Sequence, residues 1–183
     1  MLKKFVLGGM TALVLAACGG EGGSASSSAP AQSANASGSL IERINNKGTI
    51  TVGTEGTYAP FTYHDKDGKL TGYDVEVTRA VADKLGVKVE FKETQWDSMM
   101  AGLKAGRFDV VANQVGLTSP ERQATFDKSE PYSWSGAVLV ARKDSNIKSI
   151  DDIKGVKTAQ SLTSNYGEKA KAAGAELVPV DGL

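Results

Sequence analysis

Between residues 49 and 112 the chain switches repeatedly between two hydrophobic periods. Thr49-Ile50-Thr51-Val52-Gly53, Val87-Lys88-Val89-Glu90-Phe91 and Phe108-Asp109-Val110-Val111-Ala112 are short β-branched or aromatic runs with strand character. Two helical patterns separate them. The first, residues 72–86, carries Val77, Ala80, Val81 and Leu85 at i, i+3, i+4 and i+8, which predicts one apolar helical face. Asp74 is placed to cap its N-terminus and Gly86 to stop it. The second opens on Thr94-x-x-Asp97, a capping-box pattern, and runs with Trp96, Met99, Met100 and Leu103 on one face to Gly106. Strand–helix–strand–helix–strand at this spacing predicts an α/β lobe around a mainly parallel sheet. In such sheets ligands sit at the carboxyl ends of strands, so the segments after residues 53 and 112 are where function is expected.

The remaining pattern fits that frame. Residues 40–44 followed by Lys47-Gly48 predict a short entry helix and its stop. Glu55-Gly56-Thr57-Tyr58-Ala59-Pro60-Phe61 reads as a loop at the end of the first strand. Phe61-Thr62-Tyr63 and Lys69-Leu70-Thr71-Gly72 read as a hairpin around Asp65-Lys66-Asp67-Gly68. An EF-hand loop starting at Asp65 is excluded, because Lys69 and Leu70 stand where a ligand and a glycine are needed. Pro120 predicts a helix start. Residues 137–141 are an extended apolar run. A second α/β unit then begins, with a short helix at 150–153, a strand at 156–160, a polar loop at 161–165, a helix at 166–173 and a strand at 176–180.

The first residues read as targeting rather than fold. Lys3 and Lys4 precede a 13-residue apolar run, residues 5–17, which is short against the ~20 residues of a membrane span. It ends Leu15-Ala16-Ala17-Cys18, which resembles a bacterial lipobox and implies cleavage before Cys18 and its lipidation. Cys18 is the only cysteine, so no intramolecular disulfide forms within this sequence. Residues 18–38 are rich in Gly, Ser and Ala and predict a flexible tether, reaching roughly 25 Å r.m.s.. Loss of Lys3 and Lys4 leaves 19 basic against 21 acidic residues, which gives no basic field for nucleic acid.

No set of residues assembles into catalysis. His64, the only histidine, lies on the hairpin and is expected to be solvent-exposed and without a role. Ser145-x-x-Lys148 has no partner motif, and no phosphate-cradling glycine loop is present. A binding constellation remains. Arg122 falls just inside a helix N-terminus, where a guanidinium and the N–H groups of the 116–118 loop suit a carboxylate.

Gly72-Tyr73-Asp74-Val75-Glu76-Val77, with its spaced small and aliphatic positions, resembles the signature of the extracellular solute-binding proteins of polar amino-acid ABC transporters. Thr118-Ser119-Pro120-Glu121-Arg122 followed by Phe126-Asp127-x-Ser129-x-Pro131-Tyr132 resembles a second segment of that family, with one extra residue between Gly116 and Arg122. The resemblance covers essentially all of residues 40–183. It implies a periplasmic-binding-protein-like α/β fold of type II, two lobes closing by a hinge near Ser135-Gly136. Lobe one spans 39–135 and an incomplete lobe two 136–183, after a signal peptide at 1–17 and the tether at 18–38. It implies that Arg122 holds the α-carboxylate of a ligand, with backbone donors from Gly116, Leu117 or Thr118. Tyr58 lies against its apolar part and Glu55 helps neutralise its ammonium. Thr163 and Ser164 complete the carboxylate site, with Ser161 and Asn165 as alternatives, and Trp96 faces either cleft or core.

Asn113-Gln114-Val115 resembles the cystine-binding branch. The resemblance also implies transporter permease subunits as partners, a monomer, no cofactor, a place in the cell envelope anchored through Cys18, and no enzymatic activity. The acidic residue that grips the ligand amine is expected beyond residue 183. Rival readings are a periplasmic dehydratase on the same scaffold, a ligand-sensing domain, and a surface lipoprotein with a vestigial pocket.

Overall fold

The computed structural model describes residues 38–181. The expected signal peptide, Cys18 and nearly all of the tether lie outside the described residues. The elements are α1 (Leu40–Lys47), β1 (Thr49–Thr54), β2 (Thr57–Tyr58), β3 (Thr62–His64), β4 (Leu70–Thr71), α2 (Tyr73–Leu85), β5 (Lys88–Glu93), α3 (Trp96–Lys104), β6 (Val110–Val111), α4 (Pro120–Thr125), a 3₁₀ turn (Ile150–Ile153), β7 (Lys157–Gln160), α5 (Asn165–Ala172) and β8 (Glu176–Pro179).

The central sheet has the order β5-β1-β6, with both pairs parallel. A strand with neighbours on both sides and helices over both faces loses the solvent alternation of an edge strand. Accordingly β1 is buried along almost its whole length, whereas β5 alternates. Ile44, Ile50, Val52 and Ala82 form the core, with Val87, Val89, Phe91, Val110 and Ala112 packed against it. Beside it, β2, β3 and β4 make a small antiparallel sheet, so part of the expected 55–61 loop is strand, paired through Thr57 with Tyr63 and Tyr58 with Thr62. The second unit is β7 and β8, parallel and joined through α5.

The expected strand at 108–112 narrows to Val110–Val111. Asp109 explains this. Its carboxylate accepts from both the N–H (2.8 Å) and the hydroxyl (2.5 Å) of Thr51, taking a donor that a longer ladder would use. Burial opposes ionisation of Asp109, but the two Thr51 donors and Lys47 outweigh it and hold the carboxyl below its ordinary range. The run at 137–141 pairs with no strand among the described residues, and Val138 and Val140 are exposed. An apolar β-branched run becomes strand only against a partner edge.

Three helix readings are corrected. The buried stripe of α2 is Asp74, Val75, Thr78 and Ala82, while Val81 and Leu85 are exposed. Two polar residues sit on the buried stripe because each finds a partner: Thr78 donates to the Asp74 carbonyl, and Asp74 accepts from Gln114. Apolar periodicity does not register such positions. Nor does Asp74 cap α2. The N-cap is Gly72, and the first helical N–H groups of Tyr73 and Asp74 donate to the carbonyls of Pro60 and Phe61 at 3.0 Å. Likewise Thr94 and Asp97 form no capping box; α3 starts after Gln95, without a side-chain cap. The glycine stops hold: Gly48 and Gly86 lie at φ 66° and 70°.

Gly72 carries the close approach of α2 to the 60–61 turn. It lies at φ 121°, and a Cβ there would collide with the Phe61 backbone carbonyl. Gly72→Ala is therefore expected to cost about 2–4 kcal/mol, strain and overpacking together. Denaturant unfolding of the two forms, with an unchanged slope and a lowered midpoint, is the check.

Candidate functional site

The loop that follows β6, the N-terminus of α4, the loop between β7 and α5 and Trp96 of α3 meet at Arg122, and the end of β1 is joined to the end of β6 through Glu55 and Asn113. Ser119 caps α4 by accepting from the Arg122 N–H, and Pro120 occupies the first helical position. The Arg122 side chain thereby starts from a fixed backbone. It is 7% exposed. Nη1 donates to the Gly116 carbonyl at 3.0 Å and Nη2 to the Thr163 carbonyl at 2.6 Å. The guanidinium carbon lies 5.5 Å from the centre of the Trp96 ring, within cation–π range. Trp96 thus faces the Arg122 side, and its indole N–H has no hydrogen-bond partner among the described residues.

Around this centre the expected residues divide into two kinds. Glu55, Tyr58, Gly116, Thr118 and Thr163 lie on the converging loops. Asn113 sits behind them, 1% exposed. Its Oδ1 accepts from the Glu55 N–H (2.8 Å) and lies 3.2 Å from the Thr54 hydroxyl, and its Nδ2 donates to the Glu55 carboxylate (2.7 Å). With those atoms engaged, Asn113 orients Glu55. Ser164 serves α5: its hydroxyl accepts from the Tyr166 N–H and its own N–H donates to the Ser161 carbonyl. Asn165 donates to the Thr118 hydroxyl at 3.2 Å, which joins the 161–165 loop to the 116–118 loop. The Tyr58 ring packs on Phe61 at 5.1 Å. Burial, then Tyr166, Glu55 and Asp74, raise the Tyr58 phenol above its ordinary value, so it is a hydrogen-bond donor at neutral pH.

Three contributors escape the sequence patterns. Asp97 accepts from the Thr163 N–H (3.0 Å) and hydroxyl (2.7 Å) and from the Leu162 N–H (3.4 Å). The Asp97 carboxylate thus ties α3 to the 162–163 loop. Gln114 adopts φ 51°, a left-handed conformation unusual outside glycine. His64, exposed as expected, is nevertheless a bridge: Nδ1 lies 3.2 Å from the Gly56 carbonyl and Nε2 3.2 Å from the Glu93 carboxylate. None of these has a local signal, because each partner lies many residues away. Among the described residues no group of three metal-ligating side chains occurs, and no helix is long and apolar enough to cross a membrane.

A family model described as bacterial extracellular solute-binding proteins, family 3, matches residues 50–177. The L-cystine-binding protein TcyA of Bacillus subtilis is 61% identical over 148 residues, which cover 80% of this chain and 54% of that protein. A crystal structure of the L-cystine solute receptor of Neisseria gonorrhoeae, in the unliganded open conformation, is 96% identical over 80% of this chain and 62% of that one, with a TM-score of 0.52. The ancestral amino acid-binding protein AncCDT-1, a precursor of cyclohexadienyl dehydratase, is 37% identical over 78% of this chain and 65% of its own, with a TM-score of 0.71. The chain therefore spans a little over half the length of the relatives it matches.

Removing the Asp97 carboxylate has a local consequence. Asp97→Ala is expected to speed amide hydrogen exchange at Leu162 and Thr163 roughly tenfold, the worth of one charge-assisted hydrogen bond. Amides within α5 keep their rates, as residue-resolved exchange would show.

Proposed function

Because the chain belongs to the bacterial extracellular solute-binding proteins, family 3, we propose that the whole protein captures a polar amino acid outside the cytoplasmic membrane and hands it to an ABC importer. The carrying observation is Arg122: a buried guanidinium fixed by two carbonyls and a Trp face, with no carboxylate among its hydrogen-bond partners. Carbonyl partners orient a cation without cancelling its charge. Its remaining N–H groups and the 116–118 loop suit the α-carboxylate of an amino acid, while the Thr163 donors are held by Asp97. Tyr58 and Trp96 offer apolar faces, and Glu55, aimed by Asn113, offers a negative charge to the ammonium.

L-cystine is the ligand this reading favours, supported by the likeness to the L-cystine-binding protein TcyA and the gonococcal L-cystine receptor. The organisation that goes with it is lobe one at 39–135, lobe two from 136 and a hinge at Ser135-Gly136, closing on the ligand as such binders do. The protein works as a monomer, tethered through lipidated Cys18 after a signal peptide, with permease subunits as its partners. A second reading, dehydration of a cyclohexadienyl acid, draws on the likeness to AncCDT-1. Glu55, already hydrogen-bonded by Asn113, would be its acid.

A thermal-shift panel of the twenty amino acids plus L-cystine on the full-length protein separates the readings. A ligand at ~100 times its dissociation constant stabilises by about 2.7 kcal/mol. A flat panel, or turnover of a prephenate-like substrate, overturns the binding reading. Arg122→Ala is expected to weaken L-cystine binding by ~1.5–3 kcal/mol, about tenfold to 150-fold, as a lost charge-assisted contact should. Calorimetry reads that loss directly.

A further inference from the structure

The loops that form the proposed site are tied to a buried carboxylate that takes no part in it. Asp74, in the first turn of α2, is 1% exposed. One oxygen accepts from the Gln114 backbone N–H at 2.7 Å and the other from Gln114 Nε2 at 2.6 Å. The Tyr132 hydroxyl also faces it. Gln114 Oε1 in turn accepts from the Ser133 hydroxyl at 3.1 Å, and Tyr73 donates to the Tyr132 carbonyl at 2.8 Å.

The loop at Gln114 and the segment at Tyr132-Ser133 therefore meet at one side chain of α2. Burying a carboxylate among neutral donors is costly and persists where it holds something in place. Burial pushes the Asp74 carboxyl up, and the Gln114 and Tyr132 donors pull it back. What it holds is the left-handed turn at Gln114. For a non-glycine residue that conformation costs about 1–2 kcal/mol and needs outside contacts to persist. On one side of the turn is Asn113, which aims Glu55; on the other is Gly116, whose carbonyl orients Arg122.

We propose that Asp74 is a positioning residue for the amino-acid site: it fixes Gln114 in its left-handed turn, so that the Glu55 and Arg122 sides converge, and ties that turn to the chain at Tyr132-Ser133. This rests on the amino-acid-binding reading above. Asp74 itself touches no ligand.

The test is a donor–acceptor swap in the full-length protein. Asp74→Asn sets two amide donors against each other, and Gln114→Glu sets two carboxylates against each other. The double variant restores one donor facing one acceptor and leaves Asn Oδ1 for the residue 114 N–H. Each single change is expected to weaken L-cystine binding about tenfold or more, and to speed amide exchange across 114–118 in the ligand-free protein. The double variant is expected to return to within about threefold of wild type in both. Single variants that bind and exchange like wild type, or a double variant as weak as the worse single one, overturn the proposal.

A purely structural carboxylate would not be rescued by the swap. Should Asp74→Asn fail to fold, Gln114→Ala leaves Asp74 and its helix in place and is expected to show the same losses; unchanged exchange at 115–118 in that variant equally overturns the proposal. Exchange needs no ligand. A wild type that binds no L-cystine therefore counts against the ligand reading, while the exchange rates still decide the role of Asp74.

Discussion

The carboxamide of Asn113 is the contact on which the site depends. The ladder between β1 and β6 is two residues long, too short to fix where the chain goes next. Asn113 carries the pairing past the end of the strands, accepting from the Glu55 N–H and donating to the Glu55 carboxylate. A single amide supplies one acceptor and two donors, and here it sets the start of both functional loops at once. An aliphatic residue of similar size would fill the space and leave the Glu55 N–H unpaired.

The charges of the site follow a consistent plan. Arg122 is held by carbonyls, Asp74 by amide and phenol donors, and Asp97 by backbone and hydroxyl donors. None of the three is neutralised by an opposite full charge. Neutral dipoles orient an ion and leave its field available, whereas a salt bridge would largely cancel it.

Much of the fold was legible in the sequence. Alternation of β-branched runs with helical patterns gave the parallel sheet. Glycines at helix ends marked stops, because the left-handed conformation they adopt is cheap only for them. Pro120 marked the helix that presents Arg122. What stayed hidden were polar side chains whose partners lie far along the chain. Asp74 looks like a helix cap because Asp commonly plays that part, yet its carboxylate reaches Gln114, forty residues on. Asp97 looks like half of a capping box and instead reaches Thr163, sixty-six residues on. The apolar stripe of α2 was misplaced for the same reason: its buried side includes Asp74 and Thr78, which hydrophobic periodicity scores as surface.

The placement of Trp96 has an optical consequence. Indole emission responds to charge over its ring and to what its N–H meets. Trp96 has a guanidinium across its face and an indole donor without a partner among the described residues, where the 116–118 and 161–165 loops meet Arg122. The only other tryptophan of the chain, Trp134, is 82% exposed and supplies a water-quenched background. Trp96 is thus a built-in optical reporter on the Arg122 junction, one residue from Asp97.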